Sequence, residues 1–117
     1  MKVMDFSRCI PQSSEQQLDS LLLSILKQIE ELTQREVIVN SAFRSISYEV
    51  RQGRNGSSAH CLGKAVDLYC FDSSYRYQVV KLALQLGINR IGIYKSFIHL
   101  DVANSKDGKN TQVIWHG

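Results

Sequence analysis

The sequence predicts an α+β domain in which helices pack on one face of a small, mostly antiparallel sheet. Three observations lead to this fold class: a long amphipathic helical segment near the N-terminus, several short segments rich in β-branched residues, and a grouping of helices early and strands late. At 117 residues the chain has room for one domain, 1–117. We therefore expect a single unit without a separate regulatory module.

The first part of the predicted fold is a helix followed by a strand and a loop. Apolar side chains recur through 13–32 at the spacing of one helix face, and Ser13 with Gln16 has the pattern of a capping box. The β-branched segment 36–41 predicts a short strand. The polar segment 48–59 is rich in turn-forming residues, so it predicts an exposed loop.

The second part is a strand, a helix and three short strands. Segment 63–70 is mostly apolar and predicts a central strand. A second helix is expected to begin at Ser73 or Ser74 and to end before Gly87. Its predicted apolar face consists of Tyr77, Val80, Leu84 and Leu86. The remaining strands are predicted at 90–94, 97–102 and 112–115.

Composition and charge exclude several classes of protein. Hydrophobic residues make up 44% and charged residues 21%, which is typical of a globular domain and not of a disordered or fibrous chain. The net charge is only +3 and the basic residues are scattered, so we expect no nucleic-acid partner. No apolar run approaches the ~20 residues that span a bilayer, and no N-terminal stretch has the pattern of a secretory signal. We expect neither a membrane span nor a signal peptide in this chain.

The three cysteines, Cys9, Cys61 and Cys70, are an odd number without C-x-x-C spacing. This pattern argues against a disulfide framework and against a zinc site made of thiolates. We therefore interpret them as buried thiols.

Two histidines and one aspartate are the residues best suited to bind a metal. Asp67 lies within an apolar strand, where an unpaired carboxylate is costly, and His60 precedes it in a loop. His99 and Asp101 share one face of a later strand. Two imidazoles and a carboxylate are the ligands of a catalytic zinc site that keeps one position for water. Ordinary core or surface histidines are the alternative, and the residues alone leave both open.

The segment around His60 resembles a known signature. Residues 58–67, SAHCLGKAVD, are similar to the S-x-H-x-x-G-x-A-x-D motif of the zinc D-alanyl-D-alanine carboxypeptidase family, with every fixed position present. Segments 40–45 and 97–102, and finally Trp115, resemble further parts of that family in the same order. The resemblance covers most of the chain and implies a Hedgehog/DD-peptidase-like fold.

The resemblance also implies a function. It implies a zinc metallopeptidase that hydrolyses peptide bonds in peptidoglycan stem peptides or cross-links, as a D-Ala-D-Ala carboxypeptidase or endopeptidase. It implies that Zn²⁺ is bound by His60, Asp67 and His99. It also implies that Arg44 is a catalytic residue that donates hydrogen bonds to the substrate. We therefore expect Arg44 to serve the substrate and not the fold. We expect a monomer that acts on peptidoglycan at the bacterial cell envelope or as a phage-type lysis enzyme.

One position departs from the family pattern. Many members carry a glutamate three residues before the second metal-binding histidine as the general base, and this chain has Ser96 there. Asp101 and His116 are the candidates to replace it as catalytic residues. Asp101 is equally suited to orient a ligand histidine, and we favour that role. Two alternatives therefore stay open: a non-catalytic, zinc-containing cell-wall-binding module that has lost the base, and a structural domain without metal.

Overall fold

The computed structural model describes residues 4–117. Within this range it contains three α-helices and one five-stranded sheet. In chain order the elements are α1 Ser20–Thr33, β1 Val39–Ser41, α2 Ile46–Arg51, β2 Ala65–Tyr69, α3 Ser73–Gln85, β3 Arg90–Ile93, β4 Phe97–Asp101 and β5 Val113–His116. Short 3₁₀ turns lie at Glu15–Gln17, Ala59–Leu62 and Ser105–Asp107.

The strands are arranged in the order β1-β2-β4-β3-β5. All neighbouring pairs are antiparallel except β3 and β5, which run parallel. This confirms the predicted α+β class and the mostly antiparallel sheet. The central strand is β4, and the predicted central strand, β2, lies beside it and is buried along most of its length.

The hydrophobic core lies between one face of the sheet and the helices α1 and α3, which pack against each other. Alternate residues of the strands point to this core, since side chains in a strand alternate between the two faces of a sheet. The core side chains from the sheet are Val39, Val66, Leu68, Ile91, Ile98 and Leu100. The opposite face of the sheet is left free to carry polar residues, and we call it the site face.

The first helix begins later than the sequence pattern suggests. The predicted start at Ser13 was wrong, because Asp19 is the N-cap and its carboxylate accepts hydrogen bonds from the N–H groups of Leu21 and Leu22 at 2.9 and 3.3 Å. The capping box exists one residue further on, between Ser14 and Gln17, where it closes a 3₁₀ turn. An ionised N-cap on the first helical turn is favoured by the helix dipole.

The second predicted helix, α3, is present, and its predicted apolar face is correct in part, since Val80 and Leu86 are partly buried against the core. Its N-cap is Asp72, and the core side is formed by Tyr75, Val79 and Ala83, whereas Tyr77 and Leu84 are exposed. Both sets of residues have helical spacing, so periodicity could not choose between them. The packing against α1 decided the orientation.

The segment predicted as an exposed loop, 48–59, begins with the last four residues of a helix, α2. It is capped by Ser45, whose Oγ accepts a hydrogen bond from the N–H of Tyr48 at 3.0 Å. At six residues it is too short to carry a recognisable apolar stripe, which explains why the sequence pattern did not reveal it. None of the helices within residues 4–117 is long and apolar enough to cross a membrane.

The three cysteines are free. Cys9 and Cys70 are buried as predicted, but Cys61 is partly exposed. Burial raises the pKa of the Cys70 thiol to about 11. At neutral pH Cys70 is therefore a neutral, poorly nucleophilic side chain.

Candidate metal centre

The sheet register places the site residues in one row across the site face. Ser41 pairs with Asp67, Asp67 pairs with His99, His99 pairs with Gly92, and Gly92 pairs with Trp115. Paired residues in neighbouring strands have side chains on the same face about 5 Å apart. Residues from distant parts of the sequence thus become immediate neighbours.

His60 reaches this row from the 3₁₀ turn that precedes β2. The turn ends at Gly63, whose φ is +69°, and a Cβ at this position would lie 2.5 Å from the carbonyl oxygen of Gln17. Only glycine meets both demands without strain. The next residue of the signature, Ala65, is fully buried in a small cluster with Ala59 and Ala103. The glycine and the alanine of the signature therefore bring the turn back onto the sheet.

Three potential ligand atoms meet at the carboxylate of Asp67. Its Oδ1 lies 3.3 Å from Nε2 of His60 and 3.1 Å from Nδ1 of His99. Each of the three residues offers one ligand atom, and these atoms all lie within 4.8 Å of one another. The three side chains are almost completely shielded from solvent. This group could hold a metal ion.

The hydrogen bonds behind the two imidazoles fix their orientation. Nδ1 of His60 lies 2.7 Å from the carbonyl oxygen of Ala42, and Nε2 of His99 lies 2.6 Å from Oδ2 of Asp101. Asp67 is also an acceptor, but its contacts with the rings are longer, so a neutral ring carries its single proton on the nitrogen that faces Ala42 or Asp101. In the neutral rings, the other two nitrogens then direct lone pairs at an anionic oxygen.

Three electron-rich atoms facing one another are stable only with a cation or additional protons among them. The donor set therefore fits Zn²⁺, which binds histidine nitrogens and carboxylate oxygens in sites of this composition. The electrostatics agree with this requirement. When no cation is bound, additional protons on the rings take its place: burial by itself raises the pKa of Asp67, but hydrogen bonds donated by His60 and His99 outweigh it and hold that pKa well below its usual range. Burial lowers the pKa of His99, while Asp101 and Asp67 raise it more, so the net direction is upward.

Arg44 lies directly behind the cluster. Its Nη2 donates to Oδ2 of Asp67 at 3.2 Å, its Nη1 donates to Oε2 of Glu49 at 3.1 Å, and its Nε donates to Oγ of Ser41 at 3.0 Å. Only 14% of its side chain is exposed. These contacts differ from the expectation that Arg44 serves the substrate and not the fold, because three of its N–H groups bind the protein itself. A guanidinium has five N–H donors, so two are left for another partner.

Asp101 is fully buried and both of its carboxylate oxygens are engaged. Oδ2 accepts from His99, while Oδ1 accepts from Nε of Arg90 at 2.8 Å and from the N–H of Ala103 at 3.1 Å. A carboxylate in this position orients the imidazole behind it and balances the charge of Arg90. This is the arrangement that the sequence analysis favoured for Asp101.

The other two positions that bear on the general base lie apart from the cluster. Ser96 lies in the turn between β3 and β4, where its carbonyl oxygen accepts from the N–H of Cys70 at 3.0 Å. His116 is exposed and follows Trp115, whose ring lies against His99. Because side chains alternate along a strand, His116 points to the face opposite His99. The structure thus does not bring His116 together with the three potential ligands.

An aromatic wall, formed by Trp115 and Tyr94, borders the cluster on the side of β3 and β5. The rings of Trp115 and His99 have centroids 5.2 Å apart, and the indole N–H donates to the hydroxyl of Tyr94 at 2.9 Å. A Cβ on Gly92 would lie 2.6 Å from the indole nitrogen of Trp115. The missing side chain at Gly92 therefore lets the indole approach the cluster.

Two residues of the site were missed by the sequence analysis. Glu49 lies in a segment predicted as a loop, and Arg90 begins a strand whose register is not encoded by any local pattern. The only sequence signal for Glu49 is its position five residues after Arg44, which is not specific. Both residues are recognisable only through the contacts that they make in the folded chain.

The fold and the site together describe a small α+β protein with a buried His-Asp-His group that could hold a metal ion. A family model described as Peptidase M15 matches residues 4–101. The chain belongs to this family of zinc peptidases, which are similar to the zinc D-Ala-D-Ala carboxypeptidases, and the resemblance seen in the sequence is thereby confirmed. The comparison with curated proteins gave no match.

Proposed function

We propose that the protein is a zinc-dependent peptidase that hydrolyses peptide bonds in peptidoglycan stem peptides or cross-links. The observation that carries this proposal is the convergence of His60, Asp67 and His99, with both imidazoles oriented so that a lone pair faces Asp67. The substrate class comes from the resemblance to the D-Ala-D-Ala carboxypeptidases. The membership in the peptidase family supports the reaction type.

In this proposal the ligands are Nε2 of His60, Oδ1 of Asp67 and Nδ1 of His99. Zinc bound there would supply a Lewis acid that polarises the scissile carbonyl and activates water. The protein's own contribution is to hold the ligands. Ala42 and Asp101 fix the two imidazole tautomers, and Arg44 occupies the second oxygen of Asp67, so that a single oxygen faces the histidines.

Arg44 has a second role in the proposal. The two N–H donors that the protein leaves unused are available to a substrate carbonyl or terminal carboxylate beside Asp67. A guanidinium held by three partners is already oriented, so little reorganisation is needed when negative charge develops on the substrate. The aromatic wall of Trp115 and Tyr94 offers an apolar surface on the other side of His99. A short peptide with small apolar side chains is complementary to such a surface.

Neither of the two candidate residues is well placed to act as a general base. Both oxygens of Asp101 are engaged by other groups, and His116 lies on the opposite face of β5. We propose that Asp101 acts as a positioning residue. A general base contributes about 10²–10⁴-fold to a rate, so an enzyme without one would be slow but active.

A second candidate function is a non-catalytic, zinc-containing module that binds the cell wall. The presence of Ser96 in the position of the family's glutamate favours this candidate. Such a module would keep the metal ligands and the aromatic wall, but it would not hydrolyse peptide bonds. Turnover therefore separates the two functions, while metal content separates both from a purely structural domain.

The test combines two measurements on the same purified protein. The first is the zinc content of the wild type and of His99→Ala. The second is incubation of both proteins with purified peptidoglycan, followed by chromatographic analysis of the soluble products. Release of free D-alanine indicates a carboxypeptidase, whereas shortened cross-linked peptides indicate an endopeptidase. We expect one zinc per wild-type chain, product formation by the wild type and neither zinc nor product with His99→Ala.

Three results would contradict the proposal in different ways. Stoichiometric zinc without any product, combined with co-sedimentation of the protein with peptidoglycan, supports the binding module. A wild type without zinc, folded and inactive, supports a structural domain. Equal product formation by wild type and His99→Ala would mean that the observed activity does not come from this site.

A further inference from the structure

The helix α2 is buried in an unusual way. Its two apolar residues, Ile46 and Val50, are 62% and 55% exposed, whereas its carboxylate residue Glu49 is completely buried. An amphipathic helix normally buries its apolar residues and exposes its charges. Tyr48 is partly buried, but the only fully buried side chain of the helix is that of Glu49, so its contacts help to orient this helix.

Glu49 connects two of the three elements that carry the metal-binding group. Its Oε2 accepts from Nη1 of Arg44 at 3.1 Å and from Oγ of Ser58 at 2.6 Å. Ser58 is the N-cap position of the 3₁₀ turn that contains His60, and Arg44 holds Asp67. A single oxygen of Glu49 is thus linked to Asp67 through Arg44, and to the turn that carries His60 through Ser58.

The buried charges form an alternating chain: Glu49 is negative, Arg44 is positive and Asp67 is negative. If Glu49 were uncharged, Asp67 would be the only carboxylate left to balance Arg44, and less of its negative charge would be available to a metal ion. Burial raises the pKa of Glu49, but hydrogen bonds from Ser58 and Arg44 lower it more, so the carboxylate is ionised at neutral pH. Burying a carboxylate is costly unless it has partners of this kind.

We propose that Glu49 is a positioning residue for the metal centre: it compensates and orients Arg44, so that Asp67 presents one oxygen with its charge intact. Glu49 lies outside the signature of residues 58–67. The inference rests on the proposed metal-dependent function, since it assigns Glu49 to the support of the same site. Glu49 touches neither substrate nor metal in this role and acts through Arg44.

The variant Glu49→Gln tests this with almost no change of shape. Oε2 receives both donors, so the glutamine oxygen is expected there, with the amide nitrogen at the Oε1 position, which has no hydrogen-bond partner among the described residues. The negative charge is then lost, and the buried NH₂ group lacks an acceptor, so the free energy of unfolding should also fall. Removing a residue that supports a metal ligand typically weakens metal affinity by about 10–100-fold, and we expect a loss of this size for zinc.

Two measurements distinguish a positioning role from a structural one. Competition with a chromophoric chelator gives the zinc affinity, and the visible spectrum of the Co²⁺-loaded protein reports the arrangement of the ligands. We expect Glu49→Gln to weaken zinc binding and to change the Co²⁺ spectrum. Glu30→Gln is the matched control, because Glu30 is also a buried helix carboxylate, but its Oε2 accepts from the N–H of Val37 at 2.8 Å, away from the cluster. It should leave zinc affinity and spectrum unchanged.

Glu49→Asp covers the case in which Glu49→Gln does not fold. It keeps the charge but cannot reach both Arg44 and Ser58 from its shorter side chain, so its zinc affinity is expected between those of the wild type and Glu49→Gln. The inference is overturned if a folded Glu49 variant binds zinc and Co²⁺ as the wild type does, or if the wild type itself binds neither. Neither measurement uses peptidase activity, so a wild type that binds metal and cleaves no peptide would contradict the proposed function and leave this inference standing.

Discussion

Replacement of Asp101 by asparagine should weaken zinc binding because it changes the tautomer of His99. Oδ1 of Asp101 receives two N–H groups, from Arg90 at 2.8 Å and from Ala103 at 3.1 Å. The asparagine oxygen must therefore take this place, and its NH₂ group faces Nε2 of His99, which lies 2.6 Å from the present Oδ2. An NH₂ group can only donate, so the proton of the imidazole moves to Nδ1, the atom that faces Asp67.

The expected magnitude follows from these contacts. A metal ion would have to displace the proton on Nδ1, and the loss of such a supporting contact typically costs about 10–100-fold in metal affinity. That factor corresponds to about 1.4–2.8 kcal/mol in the free energy of zinc binding. The free energy of unfolding should also fall, by about 1.5–3 kcal/mol, since Arg90 loses a charged hydrogen-bond acceptor in a buried position. At saturating zinc, kcat should change little.

The assay compares zinc affinity, urea unfolding and kcat at full zinc occupancy for the wild type, Asp101→Asn and Asp72→Asn. Asp72 is half-exposed, pairs with Arg35 at 2.9 Å and caps α3, a role that asparagine also fills. Its variant should lose at most about 1 kcal/mol of stability and no zinc affinity. Wild-type zinc affinity in Asp101→Asn would refute the tautomer argument. A fall in kcat of about 10²-fold or more at full occupancy would identify Asp101 as the general base.

The remaining predictions concern four other positions. His99→Ala should bind no stoichiometric zinc by elemental analysis, and full occupancy would contradict the ligand assignment. Arg44→Ala should lower the free energy of unfolding by about 3 kcal/mol or more in urea, because it leaves two buried carboxylates without their cation; an unchanged stability would argue for a role in substrate binding alone. His116→Ala should stay within about 0.5 kcal/mol of wild-type stability and keep its turnover, whereas a loss of turnover would make it the base. Cys70 should resist alkylation at mildly alkaline pH until the protein is unfolded, since its thiol has a pKa of about 11; rapid reaction of the native protein would contradict its burial.

Local patterns in the sequence were sufficient for part of the fold and of the site. The α+β class, α1, α3 and the strands could be predicted because hydrophobic periodicity and turn residues act over a few neighbours. The signature around His60 and Asp67 is also local, since it lies within residues 58–67 and its glycine adopts a positive φ. The candidate ligands could therefore be named before any contact was known.

The partners of these residues could not be predicted in the same way. Arg90 pairs with Asp101 because β3 and β4 meet in one particular register, and Glu49 reaches Arg44 because a short helix turns its charge inward. Side chains alternate along β5, so Trp115 lies next to His99 on the site face, while His116 points to the opposite face.

The sequence by itself indicated the fold class and the signature, because both depend on spacing along the chain, and its resemblance to the zinc D-Ala-D-Ala carboxypeptidases implied the three potential metal ligands. Only the tertiary structure decided which groups support them: Arg44 behind Asp67, Asp101 behind His99, and Glu49 behind Arg44. These contacts join residues from different elements. Strand register and helix packing set such contacts, and both result from the burial of the whole core and not from any short segment.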